Sequence, residues 1–224
     1  MQTAVMRNRN IGFSTALLGT ILLGTGCWRI GEPTESQAFV TWAAYPETVR
    51  AGEMFSFEFG GPISPTACGR LDTATMTLTD TAIVLSAQRS TFSVVCANQR
   101  ISFYEARATQ IPKPGKYPIR TLGGTKLGTL IAAESGPFSA VYTQGEGTIR
   151  DVGSCWLFGP GWIGNQRVFG LSEIPPELRE VGTTQIVYVR GQLRGFISCG
   201  TWGSRPRIRV DTAWVTNRHV GDLY

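Results

Sequence analysis

The stretch Met54-Phe-Ser-Phe-Glu-Phe59 decides the fold class. Phe55, Phe57 and Phe59 share one side of an extended chain, while Met54, Ser56 and Glu58 share the other. Successive side chains of a strand point to opposite faces, so this period of two marks a strand with one buried face. The same period runs through Thr75-Met-Thr-Leu-Thr79 and Ile101-Ser-Phe103, where β-branched and aromatic residues are enriched. Turn formers separate these runs: Arg50-Ala-Gly52, Gly60-Gly-Pro62, Ser64-Pro65 and Pro112-Lys-Pro-Gly115. Short strands at such spacing predict a β-sandwich over residues 32–124.

Composition agrees with an all-β chain. Of 224 residues 42% are apolar and only 17% charged, with 27 Gly and 12 Pro. That balance suits many turns and short strands, and argues against helix bundles and long disordered tails. The formal charge of +5 is partly local, since Arg7 and Arg9 precede an uncharged stretch. The rest is spread thinly along the chain and does not point to nucleic acid as a partner.

Beyond a linker or extra strand at residues 125–143, the pattern predicts a second small β domain over residues 144–224. Gly147-Thr-Ile-Arg-Asp-Val152, Ser154-Cys-Trp-Leu-Phe158 and Arg167-Val-Phe-Gly-Leu171 read as strands. Ser172-Glu-Ile-Pro-Pro-Glu-Leu-Arg-Glu180 carries the start signals of a brief helix, with a Ser cap, an early Pro and acids at the positive end. Gln185-Ile-Val-Tyr-Val-Arg190, Phe196-Ile-Ser-Cys199 and Arg207-Ile-Arg-Val-Asp-Thr-Ala-Trp-Val215 complete the strands of a small barrel.

Two resemblances accompany these runs. Tyr45-Pro-Glu-Thr-Val-Arg-Ala-Gly-Glu53 with the Phe-Ser-Phe that follows, and Ile111-Pro-Lys-Pro-Gly-Lys-Tyr-Pro-Ile119, resemble the first and last strands of bacterial immunoglobulin-like domains. That likeness implies a scaffold or spacer. Ser154-Cys155-Trp156, Leu171 to Gly182, Val187 to Gly191 and Ser198-Cys199-Gly200 together resemble an OB-like β domain of exported bacterial proteins of unknown role. It implies no activity.

The N-terminus predicts export. Arg7 and Arg9, an apolar heart from Ile11 to Leu23, and small residues Gly24-Thr25-Gly26 form the three parts of a secretory signal. With Cys27 next, residues 1–27 resemble a bacterial lipoprotein signal, which implies that Cys27 carries lipid. Two alternatives are a retained single membrane span and ordinary cleavage to a free secreted chain. All three export the rest of the chain, and the lipid anchor or single span would hold it at a bacterial cell envelope, on the periplasmic or extracellular side of a membrane.

Apart from Cys27, four cysteines remain: Cys68, Cys96, Cys155 and Cys199. An even number in an oxidising compartment predicts disulfides. Three pairings exist, and Cys68–Cys96 with Cys155–Cys199 is favoured because each bridge then stays within one domain. By chain entropy, loops of these lengths are each worth about 3.5–4 kcal/mol. Cys68 follows a Gly/Pro loop, so its bridge is expected to pin a loop to a neighbouring strand.

Catalytic patterns are not found. His219 is a lone histidine near the C-terminus, and no H-E-x-x-H, G-x-S-x-G or P-loop motif occurs. Gly123-Gly-Thr-Lys126 lacks phosphate-loop spacing and reads as linker. Glu173, Glu177 and Glu180 fit the start of a helix better than an acid pair. The expectation is a non-enzyme without cofactor or metal. One pattern suggests a ligand: Arg205, Arg207 and Arg209 alternate along a strand, with Arg190, Arg194 and Trp202 before them. OB-like faces bind carbohydrate or other polymers through stacking and positive charge. The plainer reading is a solvated strand face with Ile208 and Val210 turned inward.

The expected function is therefore a membrane-anchored binding or accessory subunit of an envelope complex, with a protein partner. A carbohydrate or polyanion binder using the Arg/Trp face is the alternative, and an unrecognised hydrolase the second.

Overall fold

A computed structural model describes residues 32–93, 95–159 and 167–224. The signal or anchor expected at residues 1–27, with Cys27, lies outside the described residues. Residues from Gly31 to Tyr224 form one compact unit.

The first nine strands are β1 (Thr34–Ala38), β2 (Trp42–Pro46), β3 (Thr48–Arg50), β4 (Met54–Ser64), β5 (Gly69–Leu78), β6 (Ile83–Thr91), β7 (Ile101–Gln110), β8 (Gly115–Thr121) and β9 (Lys126–Ala133). Five more follow: β10 (Val141–Asp151), β11 (Trp156–Gly159), β12 (Phe169–Leu171), β13 (Gln185–Ser198) and β14 (Ser204–His219). The described residues are all-β, forming two sheets with only short 3-10 turns besides. One sheet runs β1-β6-β8-β9-β3 with β5 on the other edge of β6; the second runs β11-β12-β14-β13-β10-β2-β4-β7.

The two sheets make a β-sandwich. Phe55, Phe57 and Phe59 of β4 are buried with Tyr45, Leu85, Phe103, Ile119 and Leu130, as the opening alternation predicts. A second core lies on the opposite face of β2, where Trp42 and Ala44 pack with Ile149, Phe158, Phe169, Leu171, Val187, Val189 and Ile208. Around it β10, β11, β12, β14 and β13 form a closed circuit, because β11 returns to pair with β10. Every pairing in the circuit is antiparallel except β12 with β14.

The expected boundary at residues 125–143 is not a break between domains. β9 is an internal strand of the first sheet, and β10 pairs with β2 through Val141–Pro46 to Gly145–Trp42. Along the same edge β10 then exchanges β2 for β11 from Thr148 onward. One strand therefore belongs to both the sandwich and the circuit. Gly123–Lys126, read as linker, lies at the tight β8–β9 turn, where Gly124 has φ 88°.

Two glycines make the shared region possible. Trp42 pairs with Gly60 on one side and Gly145 on the other. A Cβ on Gly145 (φ 150°) would lie 2.4 Å from Trp42 Cα, and one on Gly60 would lie 2.4 Å from the Phe103 carbonyl and 2.9 Å from the indole. Gly60-Gly-Pro62, expected as a turn, is thus strand interior with room for a buried Trp.

The helix expected over Ser172 to Glu180 is a 3-10 turn at Pro176–Leu178. Pro175 is extended (ψ 141°), as a residue before proline prefers, so helix cannot begin earlier. Ile174 and Leu178 instead plug the second core. Phe196–Cys199, expected as a separate strand, mostly continues β13.

The disulfides are Cys68–Cys96 and Cys155–Cys199, with Cα–Cα distances of 5.5 and 5.3 Å. Cys96 lies in the β6–β7 loop, so the first bridge joins two loops instead of a loop and a strand. Backbone bonds from Ala67 to Ala97 and from Phe92 to Cys68 reinforce it. The second ties the β10–β11 turn to the far end of the β13–β14 hairpin, in a cluster with Leu157 and Val168.

Candidate functional site

The outer face of the β10–β13–β14 ribbon carries the most conspicuous side chains. Glu146 pairs with Tyr188, and Tyr188 with Trp214, so the three form a row across neighbouring strands. The rings of Tyr188 and Trp214 stack at 4.1 Å and 19°. Trp214 remains 48% exposed. Arg218 reaches back to donate to Glu146 Oε2 at 2.6 Å.

Opposite this row stand the β1–β2 crossing, with Phe39 and Thr41, and the β8–β9 turn, with Thr125 and Lys126. Together they enclose a cleft of about 500 Å³, within the usual range for small-ligand sites. Phe39 is 45% exposed at its edge. Thr41 is buried, and its Oγ1 has no hydrogen-bond partner.

A polar relay supports the aromatic row. The Tyr188 hydroxyl donates to Gln144 Oε1 at 3.2 Å, and Gln144 Nε2 contacts the Tyr45 hydroxyl in the core. Burial, then the Glu47 carboxylate, pushes the Tyr45 phenol far above its ordinary range. Burial also raises Tyr188, with Glu146 and Glu47 adding to the rise and Arg190 opposing it. Both phenols stay protonated across the physiological range. The row is held from behind by neutral hydrogen bonds.

The arginines named from sequence lie along the same ribbon. Arg205, Arg207 and Arg209 alternate with Pro206 and the buried Ile208 on β14. Arg190 is half-buried: it contacts Glu47, lies 4.0 Å from Asp211, and sits over the Tyr142 ring at 4.8 Å. The hydrogen bond it donates to the Glu47 carboxylate holds its guanidinium even more firmly charged. Arg209 is 3.6 Å from Asp211. Arg207 donates to the Arg194 carbonyl at 3.1 Å. Trp202 does not stack among them; it packs in the Cys155–Cys199 cluster, with the Arg150 guanidinium 5.9 Å from its ring.

Sequence reasoning missed Tyr188, Trp214, Glu146, Phe39, Lys126 and Arg218. Tyr188 was within reach, since it shares strand parity with Arg190. Trp214 was not. Arg190 pairs with Thr212 but Gly191 with Val210, leaving Asp211 as an extra residue. That bulge shifts Trp214 relative to the odd-numbered arginines.

Other candidates are structural. Glu173, Glu177 and Glu180 are exposed around the 3-10 turn. His219 is exposed, with its backbone N–H donating to Asp222. Among the described residues no group of three His, Cys, Asp or Glu could hold a metal ion. No family model, no curated protein and no solved structure matches the chain.

Proposed function

We propose that the chain is an exported, membrane-anchored binding or accessory subunit of a cell-envelope assembly, without catalysis of its own. The observation that carries the export reading is the pair of disulfides, which persist in an oxidising compartment and rarely in a reducing one. Arg7, Arg9, the apolar run and Cys27 support the anchor. The binding reading is supported by the aromatic cleft, where Trp214 and Phe39 stay half exposed beside a held ion pair.

Intact mass of the membrane-extracted native protein, with and without reduction, tests this reading. The expected species begins at lipid-modified Cys27 and gains the hydrogens of two reduced bridges. A chain recovered from the cytoplasm with free thiols and Met1 in place contradicts it.

A second reading, an OB-like barrel that binds a polyanion through its arginine face, is favoured by one observation. Arg194, Arg205 and Arg207 have no carboxylate partner among the described residues, whereas Arg190 and Arg209 do. The closed five-strand circuit supports the OB-like part. Replacing Arg207 and Arg209 with Ala should weaken retention on immobilised heparin at moderate salt; unchanged retention excludes this reading.

A further inference from the structure

We infer that the cleft between the β1–β2 crossing, the β8–β9 turn and the β13–β14 ribbon is a saccharide site, with a pyranose ring stacked on Trp214. The inference rests on the binding reading above and names the ligand class for a site that the arginine pattern did not include.

The chemistry of the lining selects the ligand. Trp214 offers a broad π-face at the rim, and its position is fixed because Tyr188 is stacked at 4.1 Å and is itself tied to Gln144. A pyranose presents a face of C–H bonds, whose slightly positive hydrogens suit the negative face of an aromatic ring. Its hydroxyls lie around the ring edge and need donors and acceptors together. Glu146 and Arg218 supply both: their 2.6 Å pair is only partly buried, and each group keeps further hydrogen-bonding capacity. Lys126 adds a donor from the opposite wall.

Other ligand classes fit less well. A quaternary ammonium would meet the aromatic faces but also two nearby cations, Lys126 and Arg218. A purely apolar chain would strip water from the Glu146–Arg218 pair and return no hydrogen bonds. A saccharide covers the aromatic rings and satisfies the charged groups at once. Because Arg190 lies two residues beyond Tyr188 on β13, a longer glycan leaving the cleft would run toward Arg209 and Arg207. Carboxylate-bearing glycans should then bind more tightly than neutral ones.

The test is calorimetric titration of the mature chain with soluble glycans, neutral (amylose, dextran, mixed-linkage β-glucan) and acidic (alginate, polygalacturonate, hyaluronan). At least one is expected to bind. Trp214→Ala should weaken that binding by about 30-fold or more, as for a buried aromatic anchor. Trp214→Phe should fall between the two and control for the loss of the ring, and Arg207→Ala should weaken only acidic glycans. Circular dichroism melts check that each variant folds. No binding across the panel overturns the inference, as does binding that Trp214→Ala and Trp214→Phe leave unchanged. Either failure leaves the export reading to the mass measurement, so the two claims fall separately.

Discussion

Tyr45 and Trp42 lie three residues apart on β2 and look into cores built in different ways. On the Tyr45 side, the long strands β4 and β7 bring Phe57, Phe59 and Phe103 against Leu85, Ile119 and Leu130 of the other sheet, with Tyr45 stacked on Phe57 at 5.3 Å. The Cys68–Cys96 bridge sits out in the loops at that end. On the Trp42 side, β11 and β12 are only four and three residues long, and the sheet closes on itself. Trp42 meets Phe169 edge-on at 5.4 Å, and the Cys155–Cys199 bridge packs against the outside of the short strands. A wide core can rest on many paired strands; a narrow one needs a staple and a neighbour. β2, paired along β10, is that neighbour.

Trp42→Ala should cost about 4 kcal/mol, measured by urea denaturation, and should weaken both cores together. Phe57→Ala on the other face should cost about as much and give the same single transition. If Trp42→Ala melts the circuit and leaves the sandwich intact, the two regions are separate domains.

Next, replacing Cys155 and Cys199 together with Ser should cost about 4 kcal/mol by the loop it opens. Replacing Cys68 and Cys96 should cost a similar amount. The two pairs are told apart by protease sensitivity. The first should loosen the β10–β11 turn and the β13–β14 hairpin, and the second the loops near Ala97. A smaller effect is expected where an ion pair joins the regions. Arg190→Ala removes the contact with Glu47, and because the pair is about one-third exposed the cost should be about 1 kcal/mol or less, with a midpoint shift that shrinks in salt.

The smallest effect lies within the sandwich and depends on pH. The Ser90 hydroxyl, helped by Arg70, holds the Asp72 carboxyl below its ordinary value of 3.8, against a desolvation effect that raises it. A carboxyl lowered by folding stabilises the fold fully above its unfolded value and loses that contribution as pH falls through the folded value. Asp72→Asn should therefore lower the melting temperature slightly at pH 7 and leave it unchanged at pH 2. Equal shifts at both pH values would contradict the Ser90 contact.

The sequence carried the strands whose faces differ and lost those whose faces are alike. Phe55, Phe57 and Phe59 declared themselves by alternation. Trp42-Ala-Ala-Tyr45 did not, because both of its faces are buried and no period remains to detect. The mostly buried β10 likewise shows no period, so its first residues read as linker and its remainder as part of a second domain. Gly60 resembled a turn residue, since only the position of Trp42 explains it. The arginines of β14 were legible by spacing, whereas the cleft depends on a bulge and on three distant segments that no local pattern joins.

Hydrogen exchange of the full chain, resolved by peptide, tests whether the sandwich and the circuit are one folding unit, sharing β10 and joined by β2, which faces both cores. Amides of β2, β4, β10 and β13 are expected to exchange only through the same global opening, with one free energy. If β10, β13 and β14 exchange through a lower-energy opening while β4 stays protected, the circuit is an independent domain. The cleft would then be a junction between two moving parts and not a fixed site.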